Sequence, residues 1–363
     1  MITTTIFPGR YVQGYDAVQL LGEEMARLGK RALLLVDPFV SQNLLPSFLP
    51  AVQAQVEAQV ETFGGECSDE EIDRLTALGR SAKMEMVVGV GGGKALDTAK
   101  ATAYALGVPV MVVPTIASTD APCSALSVIY TVDGEFKRYL LLPTNPTVVL
   151  VDTRIVAQAP VRFLVSGIGD ALATVFEARS CQAKYAGNMT GRLGSMTAYA
   201  LAELCYETLL TYGEQAVAAC AEHVVTLALE KVVEASTLLS GLGFESGGLA
   251  AAHAIHNGLT ALAGTHHYFH GEKVAIGVLA SLFISGQDPD VIDDVYGFCE
   301  AIGLPTTLAG IGLGDASDAD LMLAAEKACA PGETIYNEPS PITPLAVFQA
   351  LKAADVEGRR RKG

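Results

Sequence analysis

Five of the six histidines lie between His253 and His270, which makes this stretch the first candidate for chemistry. His253 and His256 are three residues apart in a helical pattern, so their side chains leave one helix face. His270 stands at the start of the next predicted helix and can return to the same place. Asp170 adds a carboxylate near the start of an otherwise apolar helix, where an unpaired charge would be costly. One carboxylate and two imidazoles can hold a catalytic zinc with an open position, and the same set suits iron(II).

The same residues also admit an interpretation without a metal. Asp170 could be a helix-terminal carboxylate that faces the helix dipole. His266 and His267 stand in a polar loop, where solvated imidazoles are the usual case. The residue types therefore leave a metal centre and an ordinary helix terminus open as alternatives, and they do not decide between zinc and iron.

A glycine-rich turn is the second candidate site. Gly91, Gly92 and Gly93 follow an apolar run, and residues 95–106 then have the pattern of a helix. Residues without a Cβ let the backbone approach a ligand, and the first N–H groups of a helix can bind a diphosphate. The pattern departs from GxGxxG, which needs a glycine in place of Lys94, so a tight turn without a ligand stays open.

Polar groups after two further strands extend this candidate site. Asp37 follows the apolar strand 31–36, where a dinucleotide fold holds ribose hydroxyls, although Asp-Pro is also common in turns. A loop of hydroxyls with one carboxylate, residues 115–124, follows the strand 108–113. Ligands of open α/β sheets bind at the carboxyl ends of the strands, so these groups are expected near one ligand.

Composition excludes several classes of function. The chain has 363 residues and a formal net charge of −16, so nucleic acid and anionic membrane surfaces are not expected partners. No apolar stretch reaches the length of a membrane span. Seven cysteines without a CxxC pair are typical of reduced thiols. We therefore predict a cytoplasmic protein that binds neither nucleic acid nor membrane.

The pattern of the chain changes near residue 160. Strand patterns occur at residues 3–6, 31–36, 86–90, 108–113 and 148–151, with a hairpin at 127–131 and 137–142 and helical spacing at 16–28. Residues 56–63 are predicted to be a further strand or a short helix. Helical patterns follow at residues 161–184, 191–210, 216–240, 247–263, 272–285, 291–301, 318–328 and 344–354. We predict an α/β dinucleotide-binding domain over residues 1–160 and an all-α domain over residues 161–363, with a cleft between them.

Five motifs in order along nearly the whole chain carry a family resemblance. They are Gly91-Gly92-Gly93-Lys94 with Asp97, the loop from Thr115 to Ser127 that contains Ser118-Thr119-Asp120-Ala121-Pro122, Gly167-Ile168-Gly169-Asp170-Ala171-Leu172, His253-Ala254-Ile255-His256-Asn257-Gly258, and His270-Gly271-Glu272-Lys273-Val274. In this order they resemble the glycerol dehydrogenases, a zinc-dependent polyol branch of the iron-containing alcohol dehydrogenase superfamily. The resemblance implies the two-domain architecture that dehydroquinate synthase also has.

The resemblance also implies the ligands of the site. A zinc, with iron(II) less favoured, would be held by Asp170, His253 and His270, and Asp37 would meet the adenosine ribose of an NAD. The predicted NAD-binding residues near the diphosphate are Gly91, Gly92, Gly93, Lys94, Ala95, Thr115, Ile116, Ala117 and Ser118, and those bordering the nicotinamide half are Ser124, Leu126 and Tyr130. Asp97 is a further predicted NAD-binding residue. The family arrangement is a ring-like homo-oligomer, an octamer.

The implied reaction is oxidation of glycerol, or a similar small vicinal diol, to dihydroxyacetone, with a metal-stabilised alkoxide and hydride transfer to NAD. Asp120 and His256 are the candidate catalytic residues. Asp120 would bind a neighbouring hydroxyl or orient the nicotinamide, and His256 would relay a proton or touch the diol. The alternative for His256 is a satisfied core histidine.

Two other functions are compatible with this architecture. A lyase like dehydroquinate synthase, or a glycerol phosphate dehydrogenase, needs a cluster of Lys and Arg for its phosphorylated substrate. Between Phe244 and Val274 the only Lys or Arg is Lys273, so a small neutral polyol fits better. A dinucleotide-binding sensor without catalysis would be marked by the loss of a metal ligand, and all three ligands are present.

Overall fold

The computed structural model describes the whole chain, residues 1–363. Its eight strands, numbered β1 to β8 in chain order, are Tyr11–Gly14, Arg31–Val36, Glu57–Thr62, Met86–Gly91, Val110–Pro114, Leu126–Tyr130, Phe136–Leu141 and Val148–Asp152. Six of them form one sheet in the order β1-β8-β5-β4-β2-β3, with parallel pairing throughout. The other two, β6 and β7, form a separate antiparallel hairpin.

Helices account for the rest of the regular structure. The α-helices, numbered α1 to α16, are Leu21–Ala26, Pro38–Asn43, Leu45–Gln53, Asp69–Ser81, Gly93–Leu106, Thr153–Gln158, Val161–Ala171, Ala173–Lys184, Met196–Ala221, Leu227–Glu234, Ser240–Gly247, Ala251–Leu259, His270–Ser285, Pro289–Ile302, Asp318–Ala328 and Pro344–Arg361. A π-helical turn, Ala235–Leu239, joins α10 to α11. None of these helices combines the length and the apolar character needed to cross a lipid bilayer.

The central strands are apolar along their whole length because both faces of the sheet are covered. Every residue of β4, β5 and β8 is buried, as expected for parallel strands between two layers. All strands end by Asp152, and every later regular element is a helix. The predicted fold class, an α/β N-terminal part followed by an all-α C-terminal part, is confirmed.

The edge of the sheet differs from the prediction. Residues 3–6 do not form a strand, and Thr3 contributes only an isolated bridge to Leu193. The edge strand is instead β1, whose four residues are all half-buried and so lack the alternation that marks a one-sided strand. The sequence also does not indicate α2, α3 or α4, and Pro46 and Pro50 weaken the helical signal of α3.

The helical part also differs in its boundaries. The predicted helix over residues 161–184 is two helices, α7 and α8, which meet at Leu172. The predicted interruption at 210–216 lies inside α9, which continues to Ala221. These shifts leave the order of the elements unchanged.

One apolar cluster extends through both parts of the chain. It includes Leu33 and Val149 from the sheet, Val274 from α13 and Ala354 from α16. The apolar interior is therefore continuous from the sheet into the helical part. The domain boundary at residue 160 stays a prediction.

Candidate active site

Asp170, His253 and His270 meet where three helices come together. Asp170 lies in α7, His253 lies in α12, and His270 is the first residue of α13. Oδ1 of Asp170 lies 3.3 Å from Nε2 of His253 and 3.2 Å from Nε2 of His270. One ligand atom from each residue lies within 4.8 Å of the other two. The three predicted metal ligands are thus adjacent, at a spacing that one ion can bridge.

Backbone packing between α7 and α13 sets the spacing of Asp170 and His270. A Cβ added to Gly271 would lie 1.7 Å from the carbonyl oxygen of Ser166, and one added to Gly169 would lie 2.5 Å from the carbonyl oxygen of Gly271. The Gly271 N–H also donates to Oγ of Ser166 at 3.2 Å. Glycine is required here because any side chain would push the two helices apart.

Glu177 orients His253 from the side opposite Asp170. Its Oε2 accepts a hydrogen bond from Nδ1 of His253 at 2.6 Å. Its Oε1 accepts from the backbone N–H groups of Ala250 and His253, both at 2.9 Å. Because Nδ1 donates to Glu177, Nε2 of His253 faces Asp170, where it can bind a metal when it gives up its proton.

The charges around Asp170 favour its ionised form. Burial opposes ionisation, but the positive charge and hydrogen bonds of His270 and His253 lower the pKa of the Asp170 carboxyl well below its usual range. Burial also disfavours protonation of His253, yet the carboxylates of Glu177 and Asp170 raise the pKa of His253 well above its usual range. A divalent cation can take the place of this positive charge.

Asp120 lies next to this cluster and belongs to the N-terminal part of the chain. Its backbone N–H donates to Oδ2 of Asp170 at 3.1 Å. Its carboxylate accepts a hydrogen bond at 2.6 Å from Oγ of Ser240, the residue that directly follows the π-helical turn. Oγ of Ser240 also lies 2.8 Å from Oγ1 of Thr174. Burial and the negative charge of Asp170 raise the pKa of the Asp120 carboxyl well above its usual range.

His256 is buried beside His270, with ring centroids 4.2 Å apart. Its Nδ1 lies 3.1 Å from Oδ1 of Asn257, whose Nδ2 donates to Oε2 of Glu333 at 3.0 Å. Because Glu333 accepts from the amide nitrogen, Oδ1 of Asn257 faces His256, which places the His256 proton on Nδ1 and the lone pair on Nε2. Burial and the charges of His270 and Lys273 lower the pKa of His256 well below its usual range.

The glycine-rich turn lies at the carboxyl end of β4, against Asp37. A Cβ added to Gly91 would lie 2.8 Å from Cβ of Asp37 and 3.1 Å from Cβ of Ala95. Gly92 precedes α5 without a capping side chain, so the first N–H groups of that helix are not used by a cap. The backbone N–H of Thr115 donates to the carbonyl oxygen of Gly91 at 3.1 Å, which joins this turn to the end of β5.

The loop after β5 packs against α7 and so connects the glycine-rich turn to the Asp170 cluster. A Cβ added to Gly167 would lie 2.1 Å from the carbonyl oxygen of Ala117. Oγ of Ser166 donates to the carbonyl oxygen of Ser118 at 3.1 Å. Ile116 lies on the other side, 3.4 Å from a Cβ added to Gly92. The predicted diphosphate residues and the predicted metal ligands therefore border one region.

The remaining predicted cofactor residues surround α5. Nζ of Lys94 lies 2.7 Å from Oε2 of Glu66 and 4.9 Å from the ring centre of Tyr130. Asp97 is buried and pairs with Lys100, Ser124 is buried, and Leu126 is half-buried. Lys94 is thus the predicted phosphate-side residue whose charge is already neutralised by a protein partner.

The chain is similar over its whole length to known dehydrogenases. A family model described as iron-containing alcohol dehydrogenase matches residues 8–153. The glycerol dehydrogenase of Thermotoga maritima is 67% identical over 362 residues, which are 100% of this chain and 99% of the relative. This chain belongs to the glycerol dehydrogenase family. The glycerol dehydrogenase of Escherichia coli O6:H1 is 53% identical over 97% of this chain and 96% of the relative.

The family resemblance extends to the fold. The crystal structure of a probable glycerol dehydrogenase from Sinorhizobium meliloti 1021 superposes with a TM-score of 0.93 at 43% identity, covering 99% of this chain and 100% of that one. The sequence-based assignment to the glycerol dehydrogenases is therefore confirmed, and the lyase and sensor alternatives lose their support.

Several residues around this glycerol dehydrogenase site are not indicated by sequence reasoning. Glu177 lies seven positions after Asp170, which would be the same face of the single helix predicted over residues 161–184, and this spacing is a signal that could have identified it. Ser240 and Asn257 carry no comparable signal, because serine and asparagine are common in helices near solvent. Lys100 is one of many lysines, and only its burial distinguishes it.

Proposed function

We propose that this chain oxidises glycerol, or a similarly small vicinal diol, to dihydroxyacetone with NAD as the hydride acceptor. The observation that carries the proposal is the 67% identity to a glycerol dehydrogenase over essentially both full lengths. The site supports it, because a carboxylate and two imidazoles lie beside a second carboxyl group, Asp120, and a neutral histidine, His256.

The donor atoms of Asp170, His253 and His270 fit a divalent metal. The set offers one carboxylate oxygen and two imidazole nitrogens, and Glu177 already holds Nε2 of His253 toward the other two residues. When bound there, the metal supplies a Lewis acid that polarises the substrate oxygen and lowers the pKa of its hydroxyl. We propose zinc, with iron(II) as the less favoured ion, since this ligand set accepts both.

Two side chains of the site serve the substrate directly in this proposal. His256 receives the hydroxyl proton on Nε2, because Asn257 and Glu333 hold its own proton on Nδ1. Asp120 binds the neighbouring hydroxyl of the diol or orients the nicotinamide. The secondary carbon loses a hydride and its oxygen loses a proton, so the product is a ketone.

The cofactor occupies the region between the glycine-rich turn and the Asp170 cluster in this proposal. Gly91, Gly92 and Gly93 bind the diphosphate together with the N–H groups at the start of α5. The set of residues predicted to complete the diphosphate site is Lys94, Ala95, Thr115, Ile116, Ala117 and Ser118, and the set predicted to border the nicotinamide is Ser124, Leu126 and Tyr130. Asp37 contacts the adenosine ribose, and the bound NAD supplies the hydride acceptor.

The assembly and location of the chain are part of the same proposal. We propose a homo-oligomer, an octamer by resemblance to the family, which light scattering on the purified protein tests directly. We propose a cytoplasmic location, supported by seven free cysteines, because disulfides are rare in reducing compartments.

The deciding experiment measures NADH formation from glycerol and NAD. The protein is first stripped of metal with a chelator and then supplied with zinc or iron(II), and 1,2-propanediol, 2,3-butanediol and an aminoalcohol are compared with glycerol. We expect activity to disappear on stripping and to return with zinc. Activity with a phosphorylated acid and none with any polyol would overturn the proposal.

A further inference from the structure

A lysine without a role in the proposed chemistry is buried in the middle of α5. Lys100 is 1% exposed, and its Nζ lies 2.8 Å from Oδ1 of Asp97 one turn earlier in the helix. A buried ammonium group is costly unless it is paired and hydrogen-bonded. The remaining partners of Lys100 therefore indicate what this charge is used for.

These partners are carbonyl groups of a single segment, residues 121–128. Nζ of Lys100 donates to the carbonyl oxygen of Leu126 and, at 3.2 Å, to that of Ala121. The carbonyl oxygen of Ser124 lies 3.4 Å away and its Oγ lies 3.5 Å away. One ammonium group thus gathers three carbonyl groups of a short segment around itself.

Asp97 holds the same segment from its other oxygen. Oδ2 of Asp97 accepts from the backbone N–H of Val128 at 2.9 Å, and its backbone carbonyl accepts from Oγ of Ser127 at 2.9 Å. The carboxylate of Asp97 therefore faces the Lys100 ammonium group with one oxygen and the Val128 N–H with the other. Together, Asp97 and Lys100 fix the path of the chain from Ala121 to Val128.

This segment and α5 border the two ends of the proposed cofactor. Residues 121–128 begin directly after Asp120 and contain Ser124 and Leu126, the predicted neighbours of the nicotinamide. The first turn of α5 follows the glycine-rich turn, the predicted diphosphate site. The ion pair of Asp97 and Lys100 lies one turn further along α5. Through this pair, α5 connects the predicted diphosphate site to residues 121–128.

We propose that Asp97 and Lys100 are positioning residues, which set the nicotinamide end of the cofactor site without contacting the cofactor. This inference rests on the proposed function, because it needs NAD to bind along α5. Removing the ammonium group takes one donor away from these carbonyl groups and leaves the Asp97 carboxylate without its cationic partner. The segment then rearranges, while the glycine-rich turn, which β4 and β5 hold, keeps its conformation.

The test compares two ligands that share the diphosphate end. NADH carries the nicotinamide, and ADP-ribose ends at the ribose that would bear it. For Lys100→Met we expect the dissociation constant of NADH to rise about tenfold and that of ADP-ribose to stay unchanged, measured by titration calorimetry. We expect turnover to fall by about 100-fold, because a displacement of about 1 Å near the reacting atoms has that effect.

A matched control separates positioning from general destabilisation. Arg10→Met removes the cation that lies 2.9 Å from Glu24, a buried carboxylate in the same part of the chain. We expect this variant to bind both ligands as the natural sequence does. If Lys100→Met does not fold, the double variant Asp97→Asn/Lys100→Met removes both charges and should show the same selective loss of NADH.

Each outcome decides between the two proposals. Equal affinity changes for NADH and ADP-ribose, or no change in either, would overturn the positioning role while leaving the proposed function intact. Failure of the natural sequence to bind either ligand would overturn the proposed function, and the positioning role with it.

Discussion

Glu177 makes two contacts with His253, one to the ring and one to the backbone. Oε2 accepts from Nδ1 at 2.6 Å, and Oε1 accepts from the N–H group of the same residue at 2.9 Å. A carboxylate accepts hydrogen bonds but cannot donate them, so the ring proton must be on Nδ1. The identity of residue 177 therefore determines which nitrogen of His253 faces Asp170.

The first prediction concerns this contact. Glu177→Gln places an amide in a position that requires two acceptor oxygens, so the ring loses its fixed orientation. We expect metal affinity to fall by about 10- to 100-fold, measured by competition with a chelator. The matched control is Glu338→Gln, because Glu338 accepts from the Ala251 N–H at 3.1 Å in the same helix but has no bond to His253. Equal losses of metal affinity in both variants would show that the hydrogen bonds to the backbone at the start of α12, and not the bond to the His253 ring, determine metal binding.

The second prediction concerns Asp170. Asp170→Asn preserves the shape of the side chain and removes its charge, so the two histidines lose their shared anionic partner. We expect loss of bound metal and a fall in turnover of more than about 100-fold. The measurements are metal content per chain after dialysis and the rate of NADH formation. Stoichiometric zinc together with normal turnover would refute the ligand assignment.

The third prediction concerns the pH dependence of stability. Burial raises the pKa of Glu245 from 4.5 to about 7, although the Ala125 N–H and the Asn145 amide stabilise the anion. The folded chain then binds more protons than the unfolded chain between these two values. The free energy of unfolding should therefore be highest at the acidic end of this window and fall as the pH rises toward about 7, by about 3 kcal/mol at most.

Denaturant titrations across this window test the effect of Glu245. In Glu245→Gln the titrating carboxyl group is absent, so the free energy of unfolding should fall less between the acidic and the neutral end of the window than in the natural sequence. Glu70→Gln, which changes an exposed carboxylate of α4, should retain the full fall. An unchanged pH dependence in Glu245→Gln would assign the effect to other groups.

The fourth prediction concerns cofactor choice. Asp37 directly follows β2 and caps α2, where its Oδ1 accepts from the Phe39 N–H at 2.9 Å. A carboxylate at this position accepts hydrogen bonds from a ribose and repels a 2′-phosphate. Asp37→Ser keeps a capping hydroxyl, so we expect the ratio of kcat/KM for NADP to that for NAD to rise at least about tenfold. An unchanged ratio would place the ribose elsewhere.

The sequence predicts the candidate ligands because their residue types are rare and clustered. Five of six histidines fall in one short stretch, and Asp170 is a carboxylate within an apolar helix. The buried strands β2, β4, β5 and β8 are predicted for a similar reason, since continuous apolar runs next to Gly or Pro have few other interpretations. Features with such specific patterns can therefore be predicted from the sequence alone.

Other features depend on packing that no local pattern reveals. The role of Lys100 follows from its burial against residues 121–128, far along the chain from its own helix. The position of β1 follows from its pairing with β8, where Tyr11 lies opposite Val149, since its own residues do not alternate. The division of residues 161–184 at Leu172 likewise has no Pro to mark it.

The apolar cluster that passes from the sheet into the helices has a thermodynamic consequence. Leu33 and Val149 belong to the same cluster as Val274 and Ala354, so neither part of the chain can melt without exposing the surface of the other. The protein should therefore show a single calorimetric transition. A cation bound among the helices would then raise the melting temperature of strands that it never touches.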